Sequence, residues 1–197
     1  MKFEQPSLNE LPYANHETIA TLFDSLSIAN VILILNRVLN DTSNLFVSQD
    51  PSKLVKCCEA IKSLIYPFKY EVIYVPHLPK AFFEVLEVPA VFMLGVEESL
   101  YAEALELVKD DAYIIELDND NIKPSSHHSG KGTKIRLSRL HSDEQPELPN
   151  QMQKQLTQKL SKIIKESKKT GKLPSESQVK KIRECFFELF VDLLRHY

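Results

Sequence analysis

Three short β-rich runs constrain the fold most: EVIYV at 71–75, AVFML at 90–94 and AYIIEL at 112–117. Each is parted from the next by a stretch that reads as a helix. Antiparallel neighbours need only a tight turn. Connections long enough to carry a helix imply right-handed crossovers and a parallel sheet. AVFML is apolar at every position, the pattern of a strand covered on both faces. The expected class is therefore α/β, a three-layer sandwich with a mostly parallel central sheet. A partial all-helical module follows it.

The punctuation between these runs is explicit. Thr18 to Leu39 is dense in apolar residues and reads as one or two helices. NDTSN at 40–44 is a loop and LFVS at 45–48 a short strand. Asp50-Pro51 opens a helix, with a capping carboxylate before a proline in the first turn. Leu54, Cys57, Cys58, Ile61, Leu64 and Ile65 give it one apolar face, and Tyr66-Pro67 ends it. Pro79 starts a short helix through Glu87. Gly95 is expected to close the AVFML strand, and Ser99 to Val108 is a further helix. KPSSHHSGKGTK at 123–134 is read as a polar, mobile loop. Beyond Pro146 and Pro149, Met152, Leu156, Leu160, Ile163 and Ile164 form a helical stripe, with Gly171 as its stop. Ser175 and Gln178 make a capping box for a last helix. The expected organisation is an α/β module over 1–122, a linker over 123–145 and a helical module over 146–197.

Charge supports that division. Residues 1–145 hold 13 Lys/Arg against 21 Asp/Glu, net −8, while residues 146–197 hold 11 against 6, net +5. No basic patch is interleaved with stacking aromatics, so nucleic acid is not an expected partner. Cys57, Cys58 and Cys185 are odd in number and lack CxxC spacing. That argues against a disulfide framework or a structural zinc, and fits the cytoplasm. The N-terminus lacks the apolar core of a signal peptide. VILIL at 31–35 is far short of the ~20 residues a membrane span needs.

Several constellations invite chemistry. In a parallel sheet, the carboxyl ends of the strands share one edge, where ligands and partners dock. Pro76-His77, Gly95-Val96-Glu97 and Asp118-Asn119-Asp120 are placed there. Asp118 and Asp120 have the DxD spacing of a divalent-metal site in nucleotide-sugar transferases. Asp and Asn are also the commonest turn formers, so a turn or partner-contact loop is the stronger reading. His127 and His128 point apart in a loop and chelate poorly. SGKGT at 129–133 lacks the upstream glycine and the strand-to-helix setting of a phosphate loop. Lys159, Lys162, Lys165, Lys168, Lys169 and Lys172 read first as a solvated face and second as a contact to an anionic membrane surface. No Ser-His-Asp or Cys-His set has a meaningful spacing. No cofactor, metal site or bond-making catalytic residue is expected.

The last helix is apolar on nearly every side. Phe187, Phe190, Val191 and Leu194 add to the stripe of Val179, Ile182, Cys185, Phe186, Leu189 and Leu193. The expectation is that downstream residues, or a partner chain, cover Phe187 and Phe190.

Residues 53–122 resemble the central module of a DENN domain. The stretches that carry the likeness are LVKCCEAIKSLIYPFKYEVIYVPHLP, LEVPAVFMLGV and AYIIELDNDNI. Tyr70 stands where the family has Trp, and the second proline near Val91 is absent. ELPNQMQKQLTQKLSKI and RECFFELFVDLLRHY are similar to the start of the family's downstream helical module. The resemblance implies an upstream longin-like module without a counterpart here, and thus a partial unit. It also implies a guanine-nucleotide exchange factor for a Rab-family small GTPase in vesicle trafficking, cytoplasmic or peripheral at membranes. A scaffold that has lost exchange is the alternative, and a metal-dependent transferase the third reading. Placement on the shared edge nominates Pro76, His77, Glu97, Glu98, Asp118, Asn119 and Asp120 as GTPase contacts.

Overall fold

A computed structural model describes residues 11–12, 14–109, 111–125, 148–170 and 173–195. Thr18 to Leu39 forms two helices. The first, α1, runs His16–Ser25 with Asn15 as its cap, and the second, α2, runs Ile28–Leu39, capped by Ser27. They are bent by 112° at Leu26–Ser27. Both are built into the core through Ile19, Leu22, Phe23, Val31, Ile34 and Leu35. Among the described residues no single helix is long and apolar enough to cross a membrane.

Strand β1 is Asn44–Ser48, buried at every position. Asp50 then caps helix α3, Pro51–Leu64, through a 2.8 Å bond from Ser52 N–H, with Pro51 in the first turn as expected. Cys57 and Cys58 lie on its buried face. Burial pushes the Cys57 thiol up to about 12 and raises Cys58 as well, so both stay protonated and serve as core packing. Strand β2 is Ile73–Val75, followed by a 3₁₀ segment, Lys80–Glu87, which is kinked at Phe82. Strand β3 is Phe92–Glu97, and helix α4 is Tyr101–Leu107. Strand β4 is Tyr113–Glu116 and β5 is Asn121–Pro124. Helices α5, Asn150–Thr170, and α6, Glu176–Leu194, close the described chain.

The sheet order is β2-β3-β1-β4-β5. β1 pairs parallel with β3, Ser48 opposite Glu97, and parallel with β4, Val47 opposite Glu116. β2 pairs parallel with β3, and β5 pairs antiparallel with β4. Side-chain alternation splits the core into two layers. Phe46, Met93 and Ile115 face α1, α2, α3, α5 and α6. Leu45, Val47, Leu94, Val96 and Ile114 face the 3₁₀ segment and α4. The result is the expected three-layer α/β arrangement with a mostly parallel sheet.

Three expectations need correction. Gly95 does not close β3 but lies inside it. A Cβ there would stand 2.0 Å from the Pro76 carbonyl oxygen, because the chain leaving β2 crosses directly over this position. Leu78 N–H also donates to Gly95 O at 2.7 Å. The glycine is a site of close backbone approach instead of a breaker. Second, residues 123 and 124 belong to β5, where a loop was expected from 123. The rest of it, with His127, His128 and the SGKGT stretch, lies outside the described residues, as does Gly171.

Third, Phe190 is covered from within the chain. Phe68 packs edge-on against it, ring centroids 5.2 Å apart, and Tyr66 stacks on Phe187 at 5.8 Å. The segment that ends α3 supplies the cover that downstream residues or another chain were expected to give. Phe190 is fully buried and Phe187 half-buried, while Val191 and Leu194 of the same helix are exposed. The Ser175–Gln178 capping box is present at the start of α6. Both closing helices share one core with the first three. Leu148 N–H donates to the buried Asn36 Oδ1, and Arg183 Nη2 to the Pro12 carbonyl.

Gly95→Ala forces the Pro76 backbone to move. It is expected to cost about 3 kcal/mol or more, read as a fall in thermal midpoint on the order of 10 °C. Phe190→Ala opens a cavity and is expected to cost about 3–5 kcal/mol. Val191→Ala, one residue on but exposed, should stay within about 0.5 kcal/mol by denaturant titration.

Candidate partner-binding edge

The connection leaving β1 runs over one face of the sheet through α3, and the connection leaving β3 runs over the other through α4. These two strands are neighbours, so their carboxyl ends splay apart around a crevice. This is the topological switch point at which parallel α/β sheets receive ligands. A shallow, open cavity of about 340 Å³ sits there, lined by Gln49, Glu97, Glu98 and Ser99. Its walls are polar and acidic. Beside it, His77 Nε2 lies 2.8 Å from Glu97 Oε1, with both side chains well exposed. Pro76, half-buried over Gly95, places His77 at the rim.

Asp118, Asn119 and Asp120 form the turn of the β4–β5 hairpin at the same edge. The sequence reading set this turn beside the His77 and Glu97 loops, but β1 intervenes. Asp118 instead gathers the end of β1 and the start of α3. It accepts from Gln49 N–H at 2.8 Å, Ser48 Oγ at 3.2 Å and Lys53 Nζ at 2.5 Å. Burial alone would push its carboxyl up, but the bonds from Lys53, Gln49 and Ser48 outweigh this and hold it below the usual range. The Lys53 ammonium is raised correspondingly, chiefly by its bond to Asp118.

Asp120 turns the other way. Its φ of 47° is the left-handed conformation that Asp tolerates in turns. Its carboxylate accepts from Ser27 N–H at 2.7 Å and from Asn30 Nδ2 at 2.8 Å. One acid thus binds the hairpin to α3 and the other to the bend between α1 and α2. The two carboxylates do not converge on one point, and a lysine ammonium already sits where a cation on Asp118 would be. No group of three metal-ligating side chains occurs among the described residues. Asn119, between them, is exposed at the tip.

The structure therefore brings His77, Glu97 and Glu98 together and gives Asp118 and Asp120 internal work. Sequence reasoning missed Gln49, which lines the crevice and ties its β1 side to the β4–β5 turn through its N–H bond to Asp118. It also missed Lys53. The available signal for Lys53 was its place in the first turn after the Asp50 cap, one turn from the end of a buried strand.

An α/β module with a shallow acidic crevice at its switch point has the makings of a docking surface. The family model of the DENN (AEX-3) domain matches residues 1–120, well over half of the chain. The chain belongs to the DENN domain family. It is 31% identical to Elicitor of plant defense protein 1 of Verticillium dahliae over 137 residues, 70% of this chain and 11% of that protein. With DENN domain-containing protein 2A of Mus musculus it shares 27% over 190 residues, 92% of this chain and 18% of the relative. With myotubularin-related protein 5 of Caenorhabditis elegans it shares 29% over 190 residues, 91% and 10%. The chain thus spans less than a fifth of the length of these relatives.

The Asp118 interactions set a pH window. A carboxyl depressed by folding stabilises above its unfolded pKa of about 3.9 and loses that contribution as pH falls through the lower folded value. Asp118→Asn is expected to lower stability by about 1 kcal/mol at neutral pH. Thermal melts should show that gap constant down to about pH 5 and closing below about pH 4.

Proposed function

We propose that this chain carries the GTPase-binding core of a guanine-nucleotide exchange factor for a Rab-family small GTPase. The observation that carries the reading is the acidic switch-point crevice in a DENN-family α/β module. Its shallowness suits a protein surface better than a small substrate, which is usually enclosed. The contact set is Pro76, His77, Glu97 and Glu98 at the β2 and β3 ends, with Gln49 between and Asn119 at the hairpin tip. Asp118 and Asp120 contribute by holding that tip in place. The closing helices are read as the start of the downstream helical module, seated on the α/β part.

No bond is made or broken in such a role. A protein that binds the empty GTPase more tightly than the loaded one weakens nucleotide by the same factor, through linkage. Carboxylates presented near a site that holds magnesium and phosphates oppose the anionic nucleotide electrostatically. Action in vesicle traffic, at the cytoplasmic side of a membrane, follows from the same reading.

The second reading for this chain is a DENN-fold scaffold that binds a GTPase without speeding release. Fluorescent nucleotide release across a Rab panel, with pull-down of the nucleotide-free forms, separates the two. The exchange reading expects at least one Rab to release faster. Glu97→Lys with Glu98→Lys should cut that acceleration at least about tenfold and leave the thermal midpoint almost unchanged, because both side chains are solvent-facing. Binding without acceleration establishes the scaffold. If no Rab binds in either form, both readings fail.

A further inference from the structure

The GTPase-binding reading makes no use of the other strongly charged feature of the molecule, the outer face of α5. This helix buries Leu156, Leu160 and Ile164 against the core and turns the opposite side to solvent. That side carries Lys154, Lys162 and Lys165, all exposed, with Gln151, Gln158 and Ser161 between them. Eleven residues are close to three helical turns, so Lys154 and Lys165 point the same way, about 16 Å apart along the axis. Lys162 lies one turn before Lys165 on the adjoining row. None of the three forms an ion pair among the described residues. Lys159, on the flank, is neutralised by Glu188 of α6 at 2.7 Å. The result is a lysine ridge, with Glu166 as the one acid in the sequence of α5, on a molecule whose other part is net negative.

Composition narrows the partner. The sequence of α5 contains six lysines, no arginine and no aromatic residue. Nucleic-acid surfaces combine charge with stacking side chains and the bidentate geometry of arginine, and both are missing. A protein interface needs an apolar centre, yet none of the large exposed hydrophobic residues is on α5. A row of flexible, strongly hydrated point charges matches a diffuse field of negative charge, which an anionic lipid surface presents.

We propose that the Lys154–Lys162–Lys165 ridge of α5 docks this protein on anionic lipid bilayers. The contact is electrostatic and peripheral, with the helix lying along the headgroups and no side chain inserted. The GTPase-binding reading can fail without touching it, because the two surfaces use different residues and different assays.

The test is flotation of the full chain with phosphatidylcholine vesicles, alone or with about one third phosphatidylserine. Binding is expected only to the anionic vesicles, and is expected to be lost in about 0.5 M salt, where screening reaches within a few Å. Replacing the three lysines by glutamine should lower partition on the order of a hundredfold, at about fivefold per lysine. Replacing them by arginine should preserve it, since the charge and not the geometry is read. Thermal melts confirm that both variants fold. Equal binding to neutral vesicles, equal binding by the glutamine variant or loss in the arginine variant overturns the proposal. So does binding to duplex RNA with none to vesicles.

Discussion

β1 must be buried on both faces and paired on both edges, and the remaining architecture follows from that requirement. Its five residues lie between β3 and β4 and under helices on either side. No water reaches its backbone, so every N–H and C=O has to find a partner in the sheet. The pairing runs out at Ser48. Just beyond, the chain must leave the sheet and begin α3 within two residues. Gln49 N–H is donated to Asp118, Asp50 N–H to Ser48 Oγ, and Ser52 N–H to the Asp50 carboxylate. One carboxylate from the far end of β4 thus completes the exit of the central strand. The crevice between β1 and β3 keeps its shape because this exit is tied down.

That arrangement separates the acids of the edge by task. Glu97 and Glu98 line the crevice. Asp118 and Asp120, though exposed, are bonded to donors on α3 and at the α1–α2 bend. The hairpin turn consequently acts as a clasp joining three helices to the sheet edge. A motif that reads as a metal-binding DxD is satisfied by backbone amides, an asparagine and a lysine. The same oxygen chemistry that would hold a cation holds the fold together.

The two charged surfaces are also distinct in kind. The acidic crevice is concave and built from two neighbouring strand ends, which suits shape-specific contact. The basic ridge is a single convex helix face, which suits a partner that is charged and without fixed shape. Net charges of −8 and +5 on the two parts of the sequence correspond to this division of surfaces.

The fold class and most elements were legible in the chain because they depend on local chemistry. Asp50-Pro51, the Ser175–Gln178 box and the 3.6-residue stripe of α3 specify helix starts and faces through interactions within a few residues. Apolar runs between helices specify a parallel sheet through the length of the connections. The order of the strands did not show, because periodicity carries no information on which strand lies beside which. β1 therefore came between the hairpin turn and the loops it was grouped with, and Asp118 acquired Lys53 and Gln49 as partners. Gly95 looked like a terminator because its signal is the same for a breaker and for a position crossed by another backbone. Phe190 looked uncovered because Phe68 is 122 residues away in the chain. What the sequence determined alone was most of the elements, though not β5, and the charge on each. What only the tertiary structure decided was which polar groups meet, since those contacts join residues that are near only after the sheet has assembled.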